Sequence, residues 1–224
     1  MSLQTVQTSD RHTRHTLGFN LAAISAIVLL VAVGSAYLVD ELGRGARVAP
    51  PDIEAENPIS QTIAGRELSI PASWFRYGEQ LKPGFTSQID LRVLFTPPGK
   101  ASIPVDITLL PRSRARSSAT LLDTVYLHQF GQVMIETVPG LIGKPMGKSD
   151  GYRGETVWYD ALSPNPFVAK CVDPIATGTQ AQCVRTVYLA SGIAATYAFD
   201  ATALQSWRVF DAHMEHWLSR IDAL

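Results

Sequence analysis

Apolar residues recur along this chain in three distinct patterns, and each pattern stands for a different kind of element. From Leu17 to Val39, LGFNLAAISAIVLLVAVGSAYLV, they are continuous and no charge interrupts them. At about 1.5 Å per residue a helix of this length measures ~34 Å, enough to cross a hydrocarbon core of ~30 Å. A cleaved secretory signal is the competing reading, because Gly34, Ser35 and Ala36 supply small residues after an apolar run that begins near Leu21. Further on, the period becomes two. In SQIDLRVLF, Ile89, Leu91, Val93 and Phe95 share one face and Asp90 and Arg92 the other; Val105, Ile107 and Leu109 repeat the pattern across the turn TPPGKAS. ELSIP, GLIGKPM, ETVWYDAL, PFVAKCV, QCVRTVYLA and IAATYAFD are short runs separated by turn-forming residues, and the last five read as an antiparallel meander. Helical spacing appears twice. Ser117 to Val133 opens on a serine cap and aligns Leu121, Leu122, Val125 and Tyr126. The C-terminal segment, capped by Asp200, repeats Leu204, Trp207, Phe210, Met214, Trp217, Ile221 and Leu224 at steps of three and four.

Between the apolar run and the first strand, residues 40–58 mix charge with Gly and Pro and show no period, as a tether does. The expected organisation is therefore a tail over residues 1–16, a single transmembrane helix over 17–39, a linker over 40–58 and an extracytoplasmic α+β domain over 59–224. With 46% hydrophobic residues the chain can bury a large core. Nineteen basic residues against 20 acidic ones leave a net charge of -1, so no global field draws the protein to nucleic acid. Arg11 and Arg14 before the apolar run are balanced by Arg44 and Arg47 after it, so charge alone does not orient the chain. The cysteines bear on orientation.

Cys171 and Cys183, the only two, flank a turn-rich loop between two strand-like runs. The five histidines, at 12, 15, 128, 213 and 216, are too far from them in sequence to complete a zinc set, and the spacing is not the C-x-x-C of a dithiol oxidoreductase. A structural disulfide across adjacent strands is the expectation. It is worth about 3 kcal/mol in the chain-entropy picture and implies an oxidising compartment such as the periplasm.

Candidate chemistry is sparse. GKPMGKS (Gly143–Ser149) resembles a phosphate-binding loop but has three residues between its glycines where four are required, which argues against nucleotide. His213 and His216 lack the H-E-x-x-H spacing, so no metal is expected. Asp150, Glu155 and Asp160 cluster around one hairpin, where a glycosidase pair is conceivable; no G-x-S-x-G elbow accompanies the serines, and His128 lies beside the apolar side of its helix. Arg112, Arg114 and Arg116, in PRSRARSS, are the best binding candidates, able to grip anionic headgroups, phosphate-bearing glycans or an acidic partner; a solvated strand end is the plain alternative.

Strands flanked by two helices predict an α+β sandwich, mainly antiparallel sheet covered by two helices. That element order resembles the PsbP and Mog1 proteins. IAGRELSIPASWFR (Ile63–Arg76), IDLRVLF (Ile89–Phe95) and ITLLPRSRA (Ile107–Ala115) resemble segments of uncharacterised single-span proteins of alphaproteobacteria. The resemblance covers the first third of the domain and implies an inner-membrane protein with its large C-terminal domain in the periplasm; it implies no catalytic residue and no cofactor. The leading expectation is a non-catalytic envelope protein, an accessory subunit or protein-interaction domain. The alternative is a lipid- or glycan-binding module with Trp74, Trp158 and Tyr188 around a pocket and the arginines at its mouth. An envelope hydrolase ranks below both.

Overall fold

A computed structural model describes residues 23–37, 58–147, 154–174 and 180–224. The chain forms two units, Met1–Val48 and Ala49–Leu224. In the first, residues 23–37 are a helix, α1, exposed along its whole length. At ~1.5 Å per residue it covers ~22 Å, less than a hydrocarbon core of ~30 Å. No described helix is long and apolar enough to cross a membrane, so the expected span is represented only by this segment. Residues 17–22 and 38–39 of that span, the tail over 1–16 and residues 40–57 of the linker lie outside the described residues.

The second unit is α+β, built on a fully antiparallel seven-stranded sheet in the order β4-β5-β10-β9-β8-β7-β6. Its strands are β4 (Ile89–Phe95), β5 (Ile103–Pro111), β6 (Ile142–Pro145), β7 (Glu155–Tyr159), β8 (Val168–Val172), β9 (Gln182–Tyr188) and β10 (Ile193–Asp200). β4 and β5 form a hairpin; the chain then crosses to the far edge and meanders back from β6, so that β10 closes the sheet against β5. A smaller sheet, β2-β1-β3, joins β1 (Pro58–Ile63), β2 (Arg66–Pro71) and β3 (Gly84–Phe85). Sequence periodicity missed β1. Its inward residues are Ile59, Gln61 and Ile63, and the buried glutamine in the middle breaks the apolar alternation.

One face of the large sheet carries the main core. Leu91, Val93, Phe95, Ile107, Leu109, Tyr197 and Phe199 lie under α3 (Trp207–Ser219), whose Phe210, Met214, Trp217 and Leu218 are buried. The α3 stripe follows from its three- and four-residue spacing. Asp200 caps this region as expected, accepting from the Thr202 amide at 2.8 Å, but the turn it caps is a 3-10 segment, Ala201–Ser206, that precedes α3. The small sheet completes this side with Ile63, Leu68 and Ile70, and Trp74 meets Trp217 edge to face at 5.0 Å.

On the opposite face α2 (Ser118–Thr124) covers only part of the sheet, packing Leu122 and Tyr126 against Met146, Val157 and Val168. The helix expected over Ser117–Val133 is thus much shorter. Ser117 does cap it, accepting from the Thr120 amide, but Val125 leaves helical geometry at φ -130° and ψ -58°. Two β-branched residues in succession, Thr124 and Val125, weaken a helix there. The sheet edge supplies the alternative: the Ile135 amide donates to the Gly143 carbonyl, and the Gly131 amide to the Pro145 carbonyl, both at 2.8 Å. Residues 129–135 therefore shield edge strand β6, which limits unwanted strand pairing.

Candidate functional site

The sheet register places the uncovered face residue by residue. Arg92, Asp106, Ala198, Val184 and Lys170 stand opposite one another across β4, β5, β10, β9 and β8. Val172, two residues beyond Lys170 along β8, lies on the same face. The middle of this surface is apolar and open, with Val184 41% and Val172 40% exposed. Its flanks are ion pairs. Arg92 grips Asp106 with two bonds, 2.6 and 3.1 Å, and Arg76 adds a third contact to the same carboxylate at 3.2 Å. The bond to Asp106 raises the Arg92 pKa above its ordinary value, against a smaller opposing effect of burial. On the other side Lys170 meets Glu155 at 3.1 Å. Beside Arg92 and Asp106, a cavity of about 410 Å³ continues over Gln182, Ala198, Asp200 and Thr202. Buried Asp90 stiffens this corner by accepting from Gln80, Gln88 and Thr108 at 2.7–2.9 Å.

The three arginines singled out in the sequence follow directly on the end of β5 and are all exposed. Arg112–Arg114 form a 3-10 turn. The Arg112 guanidinium lies 4.2 Å from the Tyr188 ring centre, and the Tyr188 hydroxyl donates to the Ala115 carbonyl at 2.9 Å. Arg114 donates to the Ser87 carbonyl at 3.2 Å. None of the three forms a salt bridge among the described residues. Ser87 brings in a residue that sequence reasoning overlooked: Phe85, 92% exposed, two positions earlier. The two-residue strand around it carried no periodicity to flag it.

The aromatic pocket expected from Trp74, Trp158 and Tyr188 does not form. Trp74 is buried against Trp217. Trp158 is buried on the α3 side of the sheet beside Gly143, while Tyr188 projects from the opposite face under Arg112. Strand alternation sends Trp158 and Tyr188 to opposite faces, and Trp74 lies off the strands in the 3-10 turn Ala72–Trp74.

Cys171 and Cys183 are bonded and stand directly opposite each other on β8 and β9, Cα atoms 3.9 Å apart. Toward the far end these two strands diverge. The Thr186 amide takes Ser118 Oγ of α2 as acceptor at 2.8 Å, and the Val168 carbonyl accepts from Arg185 at 3.1 Å. Arg185, on the core side, also grips Asp211 of α3 with two bonds of 2.6 and 2.9 Å and lies over the Phe167 ring. It is a structural cross-tie, with all its contacts to the protein's own groups.

The remaining candidates are dispersed. Gly143 to Pro145 of GKPMGKS belong to β6, and residues 148–149 lie outside the described residues, as does Asp150. Glu155 is paired with Lys170, and Asp160 accepts from the Leu162 amide at 3.0 Å, a turn-forming contact. His213 sits edge-on to Phe95; burial lowers its pKa, with the Leu94 backbone opposing and His216 adding to the fall. His128 ends a 3-10 turn. Among the described residues no three His, Cys, Asp or Glu side chains are grouped to hold a metal ion.

No protein-family model and no curated protein sequence matches the chain. A solved structure does: an immunity protein of the Stenotrophomonas maltophilia type IV secretion system, at a TM-score of 0.50 and 11% identity, over 73% of this chain and 92% of that one. At that identity the likeness is one of fold.

Proposed function

We propose that this protein is a non-catalytic interaction protein of the cell envelope, an accessory subunit or protein-binding domain. The observation that carries the reading is the uncovered sheet face: an open apolar strip, Ala198, Val184 and Val172, bounded by the Arg92–Asp106 and Lys170–Glu155 pairs. An apolar centre within a charged rim is how protein interfaces are built. The fold likeness to an immunity protein supports a fold whose working surface meets another protein. The apolar run 17–39 and the Cys171–Cys183 disulfide support residence at the inner membrane with the large domain in the periplasm. The resemblance of Ile63–Arg76, Ile89–Phe95 and Ile107–Ala115 to the alphaproteobacterial single-span proteins, and of the element order to the PsbP and Mog1 fold, belongs to the same reading.

Photo-crosslinking in intact cells tests it. A crosslinker at position 184 is expected to trap one protein reproducibly and in near-equal amount, a crosslinker at Leu162 to trap none, and Val172→Glu to abolish capture while the melting profile is kept. Recovery of uncrosslinked protein alone from position 184 overturns the reading.

A further inference from the structure

Among the described residues, the most exposed aromatic ring belongs to the loop that Arg114 of the arginine run bonds through Ser87. Phe85 is 92% exposed, and Leu81 and Tyr77, earlier in the same segment, are each 42% exposed. Lys82 is exposed as well. A surface phenylalanine is ordinary on a slack loop, but this loop is held. Buried Gln61 donates through Nε2 to the Gln80 and Lys82 carbonyls, at 2.6 and 3.0 Å. Phe85 pairs with Thr62 in register, and the Thr86 amide donates to the Thr62 carbonyl at 2.9 Å. Gly84, at φ +126°, holds a backbone conformation that only glycine adopts readily. Arg114 fastens the far side through Ser87. The ring is therefore presented on fixed backbone two residues from the carbonyl that Arg114 binds, and Arg112, Arg114 and Arg116 form an exposed run with no acidic partner among the described residues.

We infer that Phe85 together with Arg112, Arg114 and Arg116 forms a docking surface for an anionic lipid bilayer, the ring entering the interfacial layer while the guanidinium groups bind phosphate headgroups. An interfacial aromatic with flanking cations is the chemistry a bilayer surface selects, and guanidinium holds phosphate with paired hydrogen bonds. The inference rests on the reading of residues 17–39 as a membrane anchor, which keeps a bilayer within reach. At ~3.4 Å per residue a fully extended tether over 40–57 reaches at most ~60 Å, which sets how far from an anchored span the domain can stand and raises the local concentration of any bilayer-binding surface it carries. Each arginine near an anionic surface contributes a factor of about five, so three together set a docked-to-free ratio about 100-fold above that on a neutral surface.

The test uses the full-length chain reconstituted in phosphatidylcholine vesicles, with or without phosphatidylglycerol. An environment-sensitive fluorophore is placed at position 85 (Phe85→Cys) and, as control, at position 162 (Leu162→Cys). Flotation with the vesicles reports the anchor. Fluorophore brightening and quenching by doxyl-labelled lipid report docking. The expected result is flotation in both lipids, with the position-85 probe responding only when phosphatidylglycerol is present. Position 162 stays silent, and the position-85 response is lost on replacing the three arginines with Ala or in high salt. Flotation without any position-85 response overturns the docking surface and leaves the anchor standing. Failure to float overturns the anchor. A response in neutral vesicles, or its abolition by soluble inorganic phosphate or by an acidic polypeptide at equal charge, also overturns a lipid-specific role for the arginines.

Discussion

Asp211→Ala isolates the energetics of the cross-tie between sheet and terminal helix. In the native protein the Arg185 side chain is only 8% exposed and its charge is met by two bonds to Asp211, one to the Val168 carbonyl and the face of Phe167. Removing the carboxylate leaves a buried guanidinium with a single neutral acceptor. Breaking a fully buried pair costs about 3–5 kcal/mol. Asp211 is itself 41% exposed, so water can reach the vacated side, and the expected loss falls to about 2–3 kcal/mol. Adding Arg185→Met removes the stranded charge and keeps most of the side-chain volume, so the double variant should be less destabilised than Asp211→Ala alone. Urea unfolding followed by tryptophan fluorescence on the four proteins of the cycle measures this. Additive losses, or an Asp211→Ala variant within about 0.5 kcal/mol of the parent, would refute the argument that the guanidinium depends on that partner.

Replacing Cys171 and Cys183 with Ser should cost about 3 kcal/mol, and a reductant should lower the urea midpoint of the parent but leave the Ser variant unmoved. At Gly143 an added Cβ would lie 2.8 Å from the Trp158 ring, so Gly143→Ala should cost about 1–3 kcal/mol and alter near-ultraviolet dichroism; Trp158→Leu in the same chain should recover part of that cost. Ala64 holds φ +51° in the two-residue turn joining β1 and β2, so Ala64→Asn should stabilise by about 0.5–1 kcal/mol in the same unfolding assay. Because burial lowers the His213 pKa, the unfolded chain binds this proton more readily than the folded one. Its contribution to stability is therefore whole above the unfolded value near 6.5 and declines as pH falls through that value toward the lower folded one. His213→Phe should flatten the stability profile over that acidic window, as urea midpoints from pH 5 to 8 would show.

The large sheet was legible because its strands alternate cleanly: Ile89 to Phe95 and Val105 to Leu109 place one face inside whatever lies around them. The disulfide was legible because two cysteines and two strand-like flanks left few alternatives. What escaped the sequence depends on contacts between distant segments. Gln61 reads as a break in a strand until it is seen donating to the Gln80 and Lys82 carbonyls. The second helix stops early because residues 129–135 gain more from the β6 edge than from another helical turn. Arg112, Arg114 and Arg116 stand out by type and spacing, but Phe85 becomes their neighbour only through the bond from Arg114 to Ser87. The three aromatics grouped around a notional pocket were a count of residue types: strand alternation divided Trp158 from Tyr188, and Trp74 went into a 3-10 turn packed on Trp217.

The position of β10 governs how this domain comes into being. Val105 pairs with Phe199, and Pro111 with Ile193, so β5 must wait for a strand that follows every other strand of the sheet along the chain. Until then its backbone is an open edge, and Ile107 and Leu109 lack the cover of α3. Both cysteines precede β10 along the chain, which allows oxidation to fix the β8–β9 register before the seam is closed. Assembly is thus ordered by the direction in which the polypeptide arrives. A chain clipped ahead of β10 loses the strand that joins the β4–β5 hairpin to the rest of the sheet and the helix that roofs the core, and proteases would meet such a chain as unfinished protein.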